Sequence, residues 1–398
     1  MENEVVVENN GEAPLSAKDR VQAKVKYFAK RWFIDAFSGM AQGLFCTLIA
    51  GTILGQIASW CGDNAFANIL LVISRIAKIL MGAGIGVGIA YKLGAKPLVI
   101  FTAAVTGLIG AFALQITDGT LFVDLADKAQ ITYFNKIYYN GLPGNPIGAY
   151  IVSLLTIEVA GLYAGKTKLD IVLVPLGMMI LVLGGIFLAW PFIKLIDLLG
   201  IGIAKAIEAG VAVKIIVGVF VAVIMGVLLT MPTSSAAIWI AITAAVSTEY
   251  VDALSIAGGA AVAGCAAHMI GFAVASFREN GVGGLISQGI GTSMLQIPNI
   301  MKKPVVMVPE IVASAVSGLV AVLLDFRCNA AGGGMGTSGL VGVFGAIEAS
   351  QGAGLPGWKI ALGVILCLFV IPAAVSFLVS ELLRKKNVIA LGDQKLEN

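Results

Sequence analysis

Charge and histidine are scarce in this sequence. Charged residues make up 12% of the 398 residues and hydrophobic residues 58%, whereas soluble domains carry about 25% charged residues. One histidine cannot build a multi-histidine metal site, and the five cysteines lack the CxxC spacing of zinc or thioredoxin-like sites. The composition leaves no room for a sizeable soluble domain in these residues, and we predict neither a metal nor a cofactor.

Catalytic motifs are also missing. The sequence has no nucleophile elbow, and one histidine cannot form a triad without a nucleophile and an acid nearby. The run of Gly82, Gly84, Gly86 and Gly88 follows no predicted strand and leads to no Gly-Lys-Ser/Thr. It therefore predicts close helix packing rather than a phosphate loop. We predict no catalytic residue and no nucleic-acid binding, because the basic residues only flank apolar segments.

Long apolar segments are what the sequence has in abundance. A membrane-spanning helix needs about 20 mostly apolar residues, so this length accommodates about ten spans. We predict an all-α polytopic membrane protein with about ten transmembrane helices, re-entrant hairpins and interfacial amphipathic helices. The predicted spans are 33–59, 68–91, 97–116, 145–165, 169–193, 212–230, 234–248, 253–276, 305–325 and 358–383.

The charges sort the ends of these spans into two groups. Lysine and arginine cluster at 18–31, 166–168 and 384–386, whereas acidic residues dominate 117–127 and 249–252. The positive-inside rule places the basic ends in the cytoplasm. We therefore predict that both termini are cytoplasmic.

Several segments are not predicted to span. Residues 117–144 should form a polar outer loop, and residues 196–210 and 280–303 should form interfacial helices. The pair 212–248 is either two spans or a re-entrant hairpin, because its second arm is short and interrupted. Residues 1–32 are predicted to form a basic amphipathic segment on the anionic inner lipid surface, and residues 384–398 form a cytoplasmic tail.

The stretch from Cys328 to Gly339 is too rich in glycine for a spanning helix and too apolar for a surface loop. Irregular backbone at membrane depth is tolerated only where protein or a water-filled cavity receives its polar groups. Because both ends of 328–354 fall on the outer side, we predict a re-entrant hairpin that forms part of a substrate site and carries Glu348.

Ionisable residues inside spans are candidates for function. His268 either contacts a ligand or proton partner, or is bonded to a neighbouring carbonyl. Glu348 either faces a cavity and accepts hydrogen bonds from solute hydroxyls, or is simply solvated at the outer end. Glu158 either belongs to the site or pairs two helices. Glu310, near the inner end of its span, is predicted to be interfacial.

Polar groups next to broken helix segments complete the predicted site. Thr233 and Ser234 follow Pro232, where they either expose hydroxyls to a solute or cap a helix. The predicted substrate-binding residues are His268, Glu348, Asn329, Gly336, Thr337, Ser338, Thr233, Ser234 and Glu158. A weak internal similarity joins Thr156-Ile157-Glu158 to Ala346-Ile347-Glu348.

With the hairpin and His268 in place, the chain from Phe33 to Leu383 resembles enzyme IIC, the membrane subunit of the bacterial sugar phosphotransferase system. It is most similar to the stand-alone branch that includes perfringolysin-type toxin regulators. Gly345-Ala346-Ile347-Glu348 resembles the Gly-Ile-Thr-Glu motif of that family, whose glutamate contacts the sugar. Two of the four motif positions differ.

The resemblance implies a homodimer in the bacterial cytoplasmic membrane. Residues 33–193 would serve as scaffold and dimerisation half, and residues 194–383 would bind a small polar, sugar-type solute and move by an elevator mechanism. Phosphorylation would require separate IIA and IIB partners, because this chain contains neither. A membrane sensor with the same pocket and an uncoupled secondary transporter are the alternatives.

Overall fold

The computed structural model describes residues 17–117, 144–231, 235–244 and 248–396, and the helices account for most of them. We number the α-helices in chain order. They are α1 (Ala17–Lys30), α2 (Ala36–Leu44), α3 (Ala50–Trp60), α4 (Ala65–Ile79), α5 (Met81–Lys92), α6 (Pro97–Ala111), α7 (Ala113–Thr117), α8 (Pro146–Tyr163), α9 (Asp170–Glu208), α10 (Val211–Thr230), α11 (Ser235–Ala244), α12 (Val251–Ala275), α13 (Phe277–Ile286), α14 (Ile297–Lys302), α15 (Val308–Leu323), α16 (Val341–Gly352), α17 (Gly357–Gly363) and α18 (Ile371–Lys385).

Shorter helical turns connect several of these helices. The π-helical turns are Arg31–Asp35, Phe45–Ile49, Ser287–Gly291 and Val364–Val370, and the 3₁₀ turns are Thr248–Tyr250, Ser293–Gln296, Pro304–Met307 and Ser338–Leu340. The first two π turns join α1, α2 and α3 into one continuous rod. The described part of the chain contains no strand, so the predicted all-α class is confirmed.

Seven of the described helical segments are long and apolar enough to cross a membrane, and a bent pair of helices would make eight. The bent pair is α4 and α5, which meet at 53°. The chain is therefore a multi-pass membrane protein, as predicted. The seven segments are Gln22–Trp60, Pro146–Tyr163, Asp170–Glu208, Val211–Thr230, Val251–Ala275, Pro304–Leu323 and Gly357–Lys385.

One predicted boundary differs from the structure. Helix α9 runs for 39 residues without a break, so the separate interfacial helix predicted at 196–210 is wrong. Its length of about 58 Å exceeds the thickness of a hydrocarbon core. Helix α11 has ten described residues, and residues 232–234 and 245–247 on either side of it lie outside the described part, so both alternatives for 212–248 stay predictions. The outer loop predicted at 117–144 lies almost wholly outside the described residues.

Glycines bring the helices of the N-terminal half into backbone contact. A Cβ added at Gly84 would lie 2.8 Å from the carbonyl oxygen of Gly43, and one added at Gly82 would lie 2.6 Å from that of Gly107. Both distances are shorter than real side chains allow, so α5 packs directly on the backbones of α2 and α6. The structure thus confirms that the glycine run serves close helix packing.

Within the segment 328–354, predicted to be a re-entrant hairpin, residues 328–352 form two limbs that contact each other. The irregular limb runs alongside α12 in space. The amide of Cys328 donates to the carbonyl of Ser255 at 2.9 Å, and the hydroxyl of Thr337 contacts the sulfur of Met269 at 3.6 Å. Helix α16 then returns beside this limb. The two ends meet where the amide of Arg327 donates to the hydroxyl of Ser350 at 3.3 Å.

The predicted cytoplasmic tail folds back against α13 and α14. The side chain of Gln394 is fully buried, and it accepts a hydrogen bond from Arg384 at 2.9 Å. Lys303 and Asp393 form an ion pair at 2.7 Å. That ion pair and a hydrogen bond from the amide of Ala390 lower the pKa of the Asp393 carboxyl. The tail therefore belongs to the folded bundle rather than trailing from it.

Candidate functional site

His268 lies in the middle of α12 with no exposed surface. Its Nδ1 is 2.8 Å from the hydroxyl oxygen of Thr230, which is 2.9 Å from the hydroxyl oxygen of Ser293. The ring is thus held by a hydroxyl rather than by a backbone carbonyl. Its Nε2 is buried and has no hydrogen-bond partner among the described residues. One edge of the imidazole is therefore fixed while the other keeps its capacity for a hydrogen bond.

Glu310 corrects an expectation from the sequence. It was predicted to be interfacial, but the structure buries it completely at the start of α15. Neither of its carboxyl oxygens has a partner among the described residues, and the hydroxyl of Ser376 is likewise buried and unpartnered. A Cβ added at Gly271 would lie 3.0 Å from Cγ of Glu310. The glycine on α12 is what leaves space for this carboxyl group.

Glu348 lies on α16, the helical limb of the hairpin, and it is exposed. The side-chain amide of Asn329, on the irregular limb, donates to its carboxylate. The other end of the same amide accepts from the backbone amide of Gly332 at 2.8 Å. Asn329 therefore ties the carboxylate of one limb to the backbone of the other, so that the hairpin itself positions Glu348.

The carboxylate faces a cleft of about 650 Å³ between the hairpin and the α3–α4 pair. A volume of this size is within the range of small-molecule sites. Most of the lining residues are polar, and they come from both halves of the chain. They are Thr52, Gly55, Ser59, Leu71, Ser74, Arg75, Lys78, Glu348, Gln351 and Gly352.

A second cleft of about 500 Å³ lies on the other side of Gly352 and contains Asn329, Asp252 and Arg327. Arg327 forms ion pairs with Asp252 and with Asp325, the latter at 3.1 Å. Burial acts to raise the pKa of Asp325, but hydrogen bonds from Arg327 and Lys214 outweigh it and lower the pKa below its ordinary value. These charges are mutually satisfied, so they fix the ends of the hairpin rather than await a solute.

The structure brings only some of the predicted site residues together. Glu348 and Asn329 are in contact near the open end of the hairpin. His268 lies near the tip, ten residues beyond Gly258 on α12, which is about 15 Å along the helix axis. Since Gly258 packs against Cys328, next to Asn329, His268 and Glu348 do not face one another in this arrangement.

The other hairpin residues support its tip. The hydroxyl of Thr337 donates to the carbonyl of Gly289 at 2.6 Å, and that of Ser338 donates to the carbonyl of Gly291 at 2.9 Å. Gly336 has a positive φ of 56° and packs on the backbone of Cys265. These contacts satisfy the groups within the protein. Thr233 and Ser234 lie outside the described residues.

Glu158 is placed in the other half of the molecule. Its carboxylate accepts a hydrogen bond from Arg31 at 2.7 Å and another from the indole of Trp32 at 3.3 Å. The adjoining pocket of about 450 Å³ is lined almost entirely by apolar side chains, including Phe37 and Phe192. Glu158 therefore pairs its own helix with the segment that carries Arg31 and Trp32, which is the helix-pairing alternative given above.

Sequence reasoning missed the residues that α3 and α4 contribute to the polar cleft. In the sequence, Arg75 and Lys78 resemble the cations near span ends, where long cationic side chains extend to the interface. Their i, i+3 spacing puts them on one face of α4, next to Ser74. Gln351 follows Glu348 by the same spacing on α16. This shared spacing was a signal, but the two pairs are joined only because α16 packs against α3, on which α4 also packs.

Comparison with known proteins identifies one relationship that covers nearly the whole chain. The family model described as "Phosphotransferase system, EIIC" matches residues 34–396. No curated protein and no solved structure gives a significant match. The match includes all helices from α2 onward and both limbs of the hairpin.

Proposed function

Because the chain belongs to the EIIC family of the phosphotransferase system, we propose that it binds a small sugar-type solute in the cleft beside Glu348 and moves it across the membrane. The family supplies the general function of a sugar permease subunit. The location of the site rests on one observation: the glutamate of the partial family motif faces a polar cleft of about 650 Å³.

In this proposal the hairpin presents the carboxylate of Glu348 to solute hydroxyls. A carboxylate accepts strong, charge-assisted hydrogen bonds from such groups. Asn329 holds the carboxylate in place, and Gln351 adds a second polar group one helical turn away. His268, with Gly336, Thr337 and Ser338, would line the path near the hairpin tip once the solute moves inward.

The cleft lies between the two halves of the chain, which supports a transport movement of one half against the other. We propose that the protein acts as a homodimer in the bacterial cytoplasmic membrane, with both termini inside. The N-terminal half, packed backbone to backbone, would stay fixed while the hairpin half carries the solute by an elevator mechanism. Separate proteins would carry out the phosphoryl transfer: IIA would phosphorylate IIB, and IIB would donate the phosphoryl group to the sugar.

Uptake into vesicles tests this proposal. Purified protein is reconstituted, and labelled sugars are supplied outside, with and without phosphorylated IIB inside. We expect uptake that yields phosphorylated sugar only with IIB, and loss of uptake in Glu348→Gln. Glu158→Gln is the matched control, since it changes the same residue type in the other half.

The remaining outcomes identify the alternatives. Accumulation of unmodified solute without IIB indicates an uncoupled secondary transporter. Solute binding without uptake indicates a membrane sensor. Equal uptake or binding by wild type and Glu348→Gln would show that the site lies elsewhere.

A further inference from the structure

The polar cleft beside Glu348 carries an excess of positive charge. Three charged side chains line it: Arg75 and Lys78 from α4, and Glu348 from α16. A neutral sugar would need hydrogen-bond groups but no net charge around it. The charged side chains of the lining therefore indicate the class of solute, which the volume of the cleft does not.

The two cations are not accounted for by partners in the protein. Neither Arg75 nor Lys78 forms an ion pair with any described residue. The one carboxylate in the cleft already accepts a hydrogen bond from Asn329. Unpaired charges within a membrane protein are expensive and mark substrate or ion pathways. An anion bound in the cleft would form ion pairs with these cations and so offset that cost.

A buried hydroxyl points to the same location. Ser74 lies next to Arg75 and one turn before Lys78 on α4, lines the cleft and is only 1% exposed, yet its hydroxyl has no partner among the described residues. Gly55 leaves room for it, because a Cβ there would lie 2.8 Å from the Ser74 oxygen. A buried donor without a partner is unfavourable, and a solute oxygen would satisfy it.

We propose that the solute of this cleft is an anionic, hydroxylated compound of the sugar-acid class. Arg75 and Lys78 bind its acidic group, with the planar guanidinium of Arg75 matching a carboxylate in a two-pronged contact. Ser74 donates to the same group, while Glu348 and Gln351 bind its hydroxyls. This inference rests on the proposed solute site and names the class of compound that it selects.

Thermal stabilisation of the purified protein by paired compounds tests the inference. Each pair differs in one acidic group: sorbitol and gluconate, glucose and glucuronate, galactose and galacturonate, with glucose 6-phosphate as a phosphate probe. We expect the acid of at least one pair to stabilise wild type more strongly than its neutral partner. Arg75→Gln and Lys78→Gln should each weaken the apparent affinity for that acid by about tenfold or more.

Lys92→Gln is the control variant, because it removes a positive charge at the exposed end of α5 away from the cleft. It should leave the affinity unchanged. If neutral sugars stabilise as well as their acids and depend on Glu348 but not on Arg75 or Lys78, the solute site stands and the sugar-acid inference is overturned. If no compound stabilises through Glu348, both are overturned.

An anionic lipid headgroup has the same charge as a sugar acid, so the experiment includes a lipid arm. The measurements are repeated in micelles with and without phosphatidylglycerol. Stabilisation by a sugar acid that persists without this lipid supports the inference. Stabilisation by phosphatidylglycerol alone, lost in Arg75→Gln and Lys78→Gln, would assign the cations to the lipid and overturn it.

Discussion

Glu158 and Glu348 end two similar tripeptides, one in each half of the molecule, and they have opposite environments. Glu158 accepts hydrogen bonds from Arg31 and Trp32 beside an apolar pocket. Glu348 is held by the neutral amide of Asn329 and faces a polar cleft. The first carboxylate thus has its own cation, while Arg75 and Lys78 in the cleft beside Glu348 form no ion pair with a described residue.

The difference shows that local sequence does not decide what a membrane carboxylate does. In both tripeptides the glutamate follows an isoleucine on a helix, yet the partner comes from a distant segment in one case and from the facing limb of a hairpin in the other. A carboxylate neutralised by arginine holds helices together. One held by an amide keeps its charge accessible to a solute.

The largest effect is expected from disturbing the rigid packing of the half that contains Glu158. In Gly84→Ala the new Cβ would lie 2.7 Å from Thr47 and 2.8 Å from the carbonyl of Gly43. We expect a loss of about 1–3 kcal/mol in unfolding free energy, measured by denaturant titration in micelles. Gly161→Ala, one turn beyond Glu158 and with open space around it, should be neutral or stabilising by up to about 1 kcal/mol. Equal losses in both variants would contradict this packing.

A smaller effect should follow from separating Glu158 from its cation. Arg31→Ala leaves the part-buried carboxylate without its ion-pair partner, whose distance is 2.7 Å. We expect a loss of about 1–2 kcal/mol in unfolding free energy. The double variant with Glu158→Gln should recover part of this loss, because the unpaired charge is gone. If the double variant recovers none of the unfolding free energy, the loss in Arg31→Ala comes from packing alone. The contrast between the environments of Glu158 and Glu348 would then weaken.

The smallest effect is expected at Glu310, whose carboxyl group has neither an arginine nor an amide as a partner among the described residues. A buried charge without a partner is very costly, so we expect this carboxyl group to be uncharged. Glu310→Gln, an uncharged group of the same shape, should then change the unfolding free energy by less than about 1 kcal/mol. A loss of several kcal/mol, measured in the same titration, would show that Glu310 is charged and paired. Glu310→Leu is the control that separates charge from polarity.

Much of the fold followed from patterns along the chain. The apolar segments predicted a multi-pass helical bundle, and the excess of glycine in 328–339 together with the charge map predicted the hairpin. The continuous helix Asp170–Glu208 did not follow, because the charged residues Lys194 and Asp197 look like a span end. Packing of α9 against its neighbours carries the helix past them.

The candidate site could be predicted only in part. The sequence alone identified Glu348 and Asn329, because one completes a family-like motif and the other lies in a segment unsuited to a regular helix. It could not find Arg75 and Lys78, which are more than 250 positions away and resemble ordinary flanking cations. Nor could it show that Glu310 is buried, since burial depends on Gly271 and Ser376 from other helices.

The sequence by itself determined that this is a helical membrane protein and that residues near 328–339 are irregular, with Glu348 on the helix that follows. Hydropathy and glycine content can be read locally along the chain. Only the tertiary structure decided which acid lines a polar cleft and which is paired with an arginine. Charges and hydrogen bonds depend on distances between segments far apart in sequence, and these distances exist only once the helices have packed.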